Sequence, residues 1–205
     1  MIGVFLVWLF HSSALIGISL GYTDWFIEKT PMNLLLMFLL LLWIYPIRKT
    51  GEIVLVAILF SLGMLAEWLG VQYGWFFGNY EYGENLGIKL DGVPYMIGVN
   101  WAVLTLITAA LVTPYLNNNW LRIFAGAVLM LFLDFLMEGT APRFDFWEFE
   151  GSIAPISNYL GWFGIAVLMH IVFSRFELKG NFRFSLHLYL AQCLFFIYLY
   201  AWFNL

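Results

Sequence analysis

Seven stretches of the chain run apolar with almost no charge, over residues 2–21, 31–47, 53–69, 95–115, 120–137, 158–174 and 184–203. Each approaches the roughly 20 residues a helix needs to cross the hydrocarbon of a bilayer. Inside lipid such a run must be helical, because an open strand would leave its backbone N–H and C=O groups without partners. The pattern predicts an all-α, polytopic integral membrane helix bundle of about seven transmembrane helices, forming a single transmembrane domain over residues 1–205. The second run is bracketed by Pro31 and Pro46, and the long connections fall at 70–94 and 139–157.

Charge orients the bundle. Alternating the loops between sides puts Arg48, Lys49, Arg122, Arg175, Lys179 and Arg183 with the N-terminus and Lys29, Lys89 and Arg143 opposite, six cations against three. That bias predicts a cytoplasmic N-terminus and an outer C-terminus, in a bacterial inner (cell) membrane. The opposite face is acidic, with Asp24, Glu28, Glu81, Glu84, Asp91, Asp145, Glu148 and Glu150, and it carries both long loops. Composition agrees: 63% of the 205 residues are hydrophobic and 11% charged, against roughly a quarter charged in soluble domains. A soluble globular reading is excluded, and the net charge of −4 argues against a nucleic-acid surface. Cys193 stands alone, so no intrachain disulfide is expected, and no Cys/His pair has metal-ligand spacing. The first run lacks a basic leader and a small-residue cleavage site, so no cleavable signal peptide is expected.

The two long loops read as copies of one another. The first unit, 53–115, carries Glu67, then Tyr80-Glu81-Tyr82, then Val93-Pro94, then Trp101 seven residues after the proline. The second, 120–174, carries Glu138, then Trp147-Glu148-Phe149, then Ala154-Pro155, then Trp162, again seven after its proline. Helices three and four would thus be repeated as five and six. Internal repeats in membrane proteins commonly bracket the working site. Asn100 and Asn158 add an amide near the start of each second helix, though not at matching offsets.

Three carboxylates lie within or at the end of apolar runs: Glu67, Asp134 and Glu138. An ionised acid at mid-bilayer costs roughly 2.5–3.5 kcal/mol on insertion scales, so such residues are functional candidates by default. In the predicted topology all three fall at the outer end, level with Asn100 and Asn158. Asp134 and Glu138 are four apart and share a helix face. Two like charges about 5–6 Å apart repel by about 3 kcal/mol at an effective dielectric near 20, so one is expected to hold a proton while the other is ionised, as paired acid–base work needs. The plainer alternative is that each carboxylate only hydrogen-bonds a helix end or a loop amide. His11 and His170 read as packing histidines and His187 as interfacial. Gly63, Gly70 and Gly74 read as close helix packing. The aromatic-Glu-aromatic triplets suit an interfacial belt, or a wall that stabilises a carbocation.

Residues 67–82, Glu-Trp-Leu-Gly-Val-Gln-Tyr-Gly-Trp-Phe-Phe-Gly-Asn-Tyr-Glu-Tyr, followed by Leu86-Gly, Leu90-Asp-Gly-Val-Pro-Tyr and Asn100-Trp101, resemble the hallmark region of the membrane carotenoid 1',2'-hydratases of the CruF type. Leu133-Asp-Phe-Leu-Met-Glu-Gly-Thr-Ala-Pro, with Phe146-Trp-Glu-Phe and Ala154-Pro-Ile-Ser-Asn-Tyr-Leu-Gly-Trp, resembles that family's second motif. The resemblance implies cofactor-free addition of water to the C1',2' double bond of an acyclic carotenoid end group, giving a tertiary alcohol. It implies Asp134, Glu138 and Glu67 as the catalytic acids and bases, with Tyr80, Glu81, Tyr82, Asn100, Trp101, Trp147, Asn158 and Trp162 around the substrate. The expected partners are an acyclic or monocyclic polyene, membrane lipid and other enzymes of the pathway, with no nucleic acid and no metal. An end-group cyclase would use the same protonation without adding water. A proton-coupled transporter or a non-catalytic scaffold would carry the same helices, but a scaffold would tolerate loss of all three acids.

Overall fold

The computed structural model describes residues 1–176 and 178–204. Its elements in chain order are α1 (Ile2–Ser19), α2 (Thr23–Ile27), α3 (Thr30–Ile44), α4 (Thr50–Tyr73), β1 (Tyr80–Tyr82), β2 (Lys89–Leu90), β3 (Val93–Pro94), α5 (Tyr95–Val112), α6 (Asn119–Glu138), β4 (Trp147–Phe149), α7 (Ile156–Phe173) and α8 (Phe182–Asn204). Among the described residues, seven helical spans are long and apolar enough to cross a membrane, α2 and α3 counting as one. The centre of the bundle is α5, with 89% of its span buried against 44% or less for the others. The outer spans turn apolar side chains such as Phe5, Trp43, Leu65 and Phe135 outward, as a lipid-facing surface does.

Local chemistry sets the ends of the helices. Tyr45 precedes Pro46 and takes an extended backbone (φ −76°, ψ 144°), so α3 stops at Ile44 and not at 47. The prolines at 94 and 155 stand just before α5 and α7, where a missing N–H costs nothing. Asn118 caps α6 by accepting the Leu121 N–H. One boundary moves further than the others. The sequence suggests that the third span ends at 69, yet α4 continues to Tyr73, because Gly74 and not Gly70 takes the left-handed conformation (φ 66°) that closes it. Gly74 is therefore a helix stop, whereas Gly63 and Gly70 are packing glycines: a Cβ on Gly63 would stand 2.7 Å from Trp101 and one on Gly70 2.7 Å from the Tyr80 hydroxyl.

The two long loops hold strands that hydropathy does not signal. β1 pairs antiparallel with β4, Tyr80 opposite Phe149, Glu81 opposite Glu148 and Tyr82 opposite Trp147. β2 and β3 form a second, tight pair leading into α5. The ribbon joins the two aromatic-Glu-aromatic triplets at one end of the bundle. A local two-fold axis through the Glu81–Glu148 pair exchanges Tyr80 with Trp147 and Tyr82 with Phe149, the same equivalence as the aligned sequence units. Below it the rings of Trp101 and Trp162, each seven residues after its proline, stack on one another with centroids 3.8 Å apart and planes 16° apart.

Candidate active site

Strand alternation decides which side chains of the ribbon face the helices. Tyr80 and Tyr82 from β1 and Trp147 and Phe149 from β4 turn inward, while Glu81 and Glu148 are exposed. Glu81, expected near the substrate, thus lies on the outer face, directly across from a like charge, an arrangement that weakens the pairing.

Beneath the ribbon Glu67, only 2% exposed, rises from α4. Its Oε2 accepts from the Tyr80 and Tyr82 hydroxyls at 2.5 and 2.6 Å, and its Oε1 accepts from the Trp101 Nε1–H at 2.7 Å. Burial, and then the neighbouring Glu67 carboxylate, push both phenols well above their usual value of about 10. Both remain O–H donors at any ordinary pH. Glu138, the last residue of α6, is held in a related way. Trp147 donates its indole N–H to Oε2 at 3.1 Å, and Asn158 from α7 donates to Oε1 at 3.0 Å. The first residue of each triplet therefore donates to the glutamate of its own unit. Phe149, equivalent to Tyr82, has no hydroxyl, so Glu138 lacks the second phenol that Glu67 has.

Between the two glutamates lies a cavity of about 20 Å³, enough for one water molecule, which needs roughly 10–15 Å³. Glu67, Tyr80, Tyr82, Asn100, Glu138, Trp147, Asn158 and Trp162 line it, and Phe77, Ile97, Met137 and Phe149 complete it. Trp101 is not in the wall but braces it from behind, stacked on Trp162 and bonded to Glu67. Asp134 is also behind the wall and fully buried. The Asn158 amide that donates to Glu138 lies 3.3 Å from Asp134 Oδ2, and Asp134 Oδ1 has no donor. The carboxylates that line the cavity together are thus Glu67 and Glu138, from different units, rather than the two acids on one face of α6.

Among the described residues no cation pairs with these acids. Among the described residues the ion pairs are Lys29–Glu28, at the break between α2 and α3, and Lys89–Glu84, in the loop before α5. Nor does any group of three or more His, Cys, Asp or Glu among the described residues gather as a metal site would. The histidines are spoken for elsewhere: His11 Nδ1 pairs with the Val7 carbonyl and His170 Nε2 with the Thr108 hydroxyl. The site's four apolar wall residues carry no polar signal and fall outside any reading based on titratable groups. Phe77 and Phe149 stand out in the sequence only through their places in the two repeated units.

The family described as carotenoid biosynthesis protein matches residues 30–205. A curated bisanhydrobacterioruberin hydratase of Haloarcula japonica is 30% identical over 154 residues, covering 68% of this chain and 52% of that protein. The chain spans about half the length of that relative. No solved structure matches it.

Proposed function

Because the chain belongs to the carotenoid biosynthesis protein family, we propose that it hydrates the C1',2' double bond of an acyclic carotenoid end group. The observation that carries this reading is the water-sized cavity flanked by Glu67 and Glu138 and walled by aromatic rings. Its support beyond geometry is the relative named a hydratase.

The reaction needs a proton at C2', a tertiary cation at C1' and a water oxygen to close on it. Saturated carbons separate C1' from the polyene, so conjugation gives the cation no help. The faces of Tyr80, Tyr82, Trp147 and Trp162 and the nearby carboxylates supply that stabilisation instead. We assign delivery of the proton to Glu138, oriented by Trp147 and Asn158 with Asp134 behind them. Glu67, whose two oxygens accept three hydrogen bonds, takes the proton released when water bonds to C1'. One proton enters at carbon and one leaves from oxygen, and its return to Glu138 through water restores the site. The sum is addition of water with no change of oxidation state. The cavity as it stands accommodates water and not an end group, so admission of substrate requires the β1–β4 ribbon to lift. The ribbon is tied down by the Tyr80 and Tyr82 bonds to Glu67 and the Trp147 bond to Glu138, so lifting it exchanges those contacts for substrate.

The test is expression in a bacterial host that accumulates acyclic carotenoids, with extracts compared by chromatography and mass spectrometry. The wild-type chain is expected to yield a pigment heavier by one water with an unchanged chromophore. Glu67→Gln and Glu138→Gln, at equal membrane levels, should each lower its formation by about 10²-fold or more. A new pigment of unchanged mass would make the chain a cyclase, and full hydration by both variants would remove the glutamates from the chemistry.

A further inference from the structure

Between α1, α3 and α8, in the half of the bundle that carries the β1–β4 ribbon, the surface opens into a groove of about 410 Å³. Most of its wall is apolar and aromatic, including Trp25, Phe26, Phe195 and Phe196. Ser13, Lys29 and Thr30 interrupt it, as do two amide side chains. Gln192 is only 7% exposed and its Oε1 meets no donor, and Asn33 Oδ1 is likewise buried without one. His11 stands in the same wall with its Nδ1 occupied by the Val7 carbonyl.

A buried acceptor without a donor is a cost that folded chains normally avoid. Lipid acyl chains carry no donor and cannot relieve it. An apolar chain bearing a hydroxyl can relieve it at one of the two amides, since it fills the aromatic trough and donates its single O–H to one amide oxygen. The groove reaches the chain segment that carries the candidate active site: Phe146 lines it, while Trp147, the next residue, hydrogen-bonds Glu138. We propose that this groove binds a hydroxyl-bearing isoprenoid chain, seating the hydroxyl on Gln192 or Asn33 and holding the tertiary alcohol near the site that forms it. The ligand's class rests on the hydration reading, whereas the place of the groove rests on the structure alone.

The experiment uses the full chain in lipid nanodiscs, titrated with lycopene and with its 1'-hydroxylated derivative, and follows quenching of tryptophan fluorescence, Trp25 being in the wall. The wild type should bind the alcohol about tenfold more tightly than the hydrocarbon. Asn33→Leu/Gln192→Leu should bind the hydrocarbon as before and lose the preference. That combination also shows that the variant is folded. Ala14→Phe, which fills the groove, should abolish binding of both, and Glu67→Gln should leave the preference intact. Equal affinities in the wild type, or a preference that survives in the double variant, overturn the proposal. A wild type that shows the preference but makes no heavier pigment would sink the hydration reading and leave the groove standing; heavier pigment without the preference would do the reverse.

Discussion

Glu67 is bonded on both oxygens by groups that carry no positive charge, two phenols and an indole. Such a shell fixes the carboxylate's direction without neutralising it, which suits the proton-accepting role proposed for it. The two phenols have a consequence of their own. Their pKa values lie above those of free tyrosine because of burial and of Glu67, so between about pH 10 and their folded values the folded chain keeps protons that the unfolded chain has released. Their contribution to stability is therefore complete below about pH 10 and is lost as pH rises through the folded values. Thermal unfolding in detergent across the alkaline range should show a steep loss of stability in the wild type and a shallower one in Tyr80→Phe/Tyr82→Phe. Identical slopes would mean that the phenols are not buried against Glu67.

The packing of α4 on α5 is set by Gly63, where a Cβ would stand 2.7 Å from the Trp101 Cβ and 2.9 Å from its Cγ. Trp101 has nowhere to go, being bonded to Glu67 and stacked on Trp162. Gly63→Ala should thus cost about 1–3 kcal/mol of stability by forcing the helices apart, read as a lowered unfolding midpoint in denaturant. Gly51→Ala, with nothing within 4 Å of the added carbon, should be neutral or slightly stabilising. The helices themselves were plain in the sequence, because a bilayer demands long uninterrupted apolar runs. The ribbon was not, since three alternating residues in an aromatic-rich loop look like any interfacial belt. The site was half readable for the same reason. The spacing of Asp134 and Glu138 correctly puts them on one face of α6, but no spacing within a helix can report that α4 brings Glu67 to the same cavity as Glu138 while Asp134 stays behind Asn158. Nor do Ile97 and Met137 differ, as letters, from any other apolar helix residue.

For the molecule as a whole, the cations gather at the end away from the ribbon, with Arg48, Lys49, Arg122 and Lys179 around one broad depression. The charge rule then predicts the ribbon outside the cell. Single cysteines check it in intact cells, Cys193 being buried. Ile153→Cys should react with a membrane-impermeant maleimide at once and Asn117→Cys only after permeabilisation, and the reverse result would turn the molecule over. The pairing of β1 with β4 carries a further constraint that concerns parity. Two strands can meet across one face only if the chain between them crosses the membrane an even number of times, and here it crosses twice, through α5 and α6. The smallest segment that such a chain can gain, lose or exchange between β1 and β4 and still close its site is therefore a hairpin of two spans. A change by one span would send Glu138 and its strand to the opposite side of the membrane from Glu67, however well each helix still inserted.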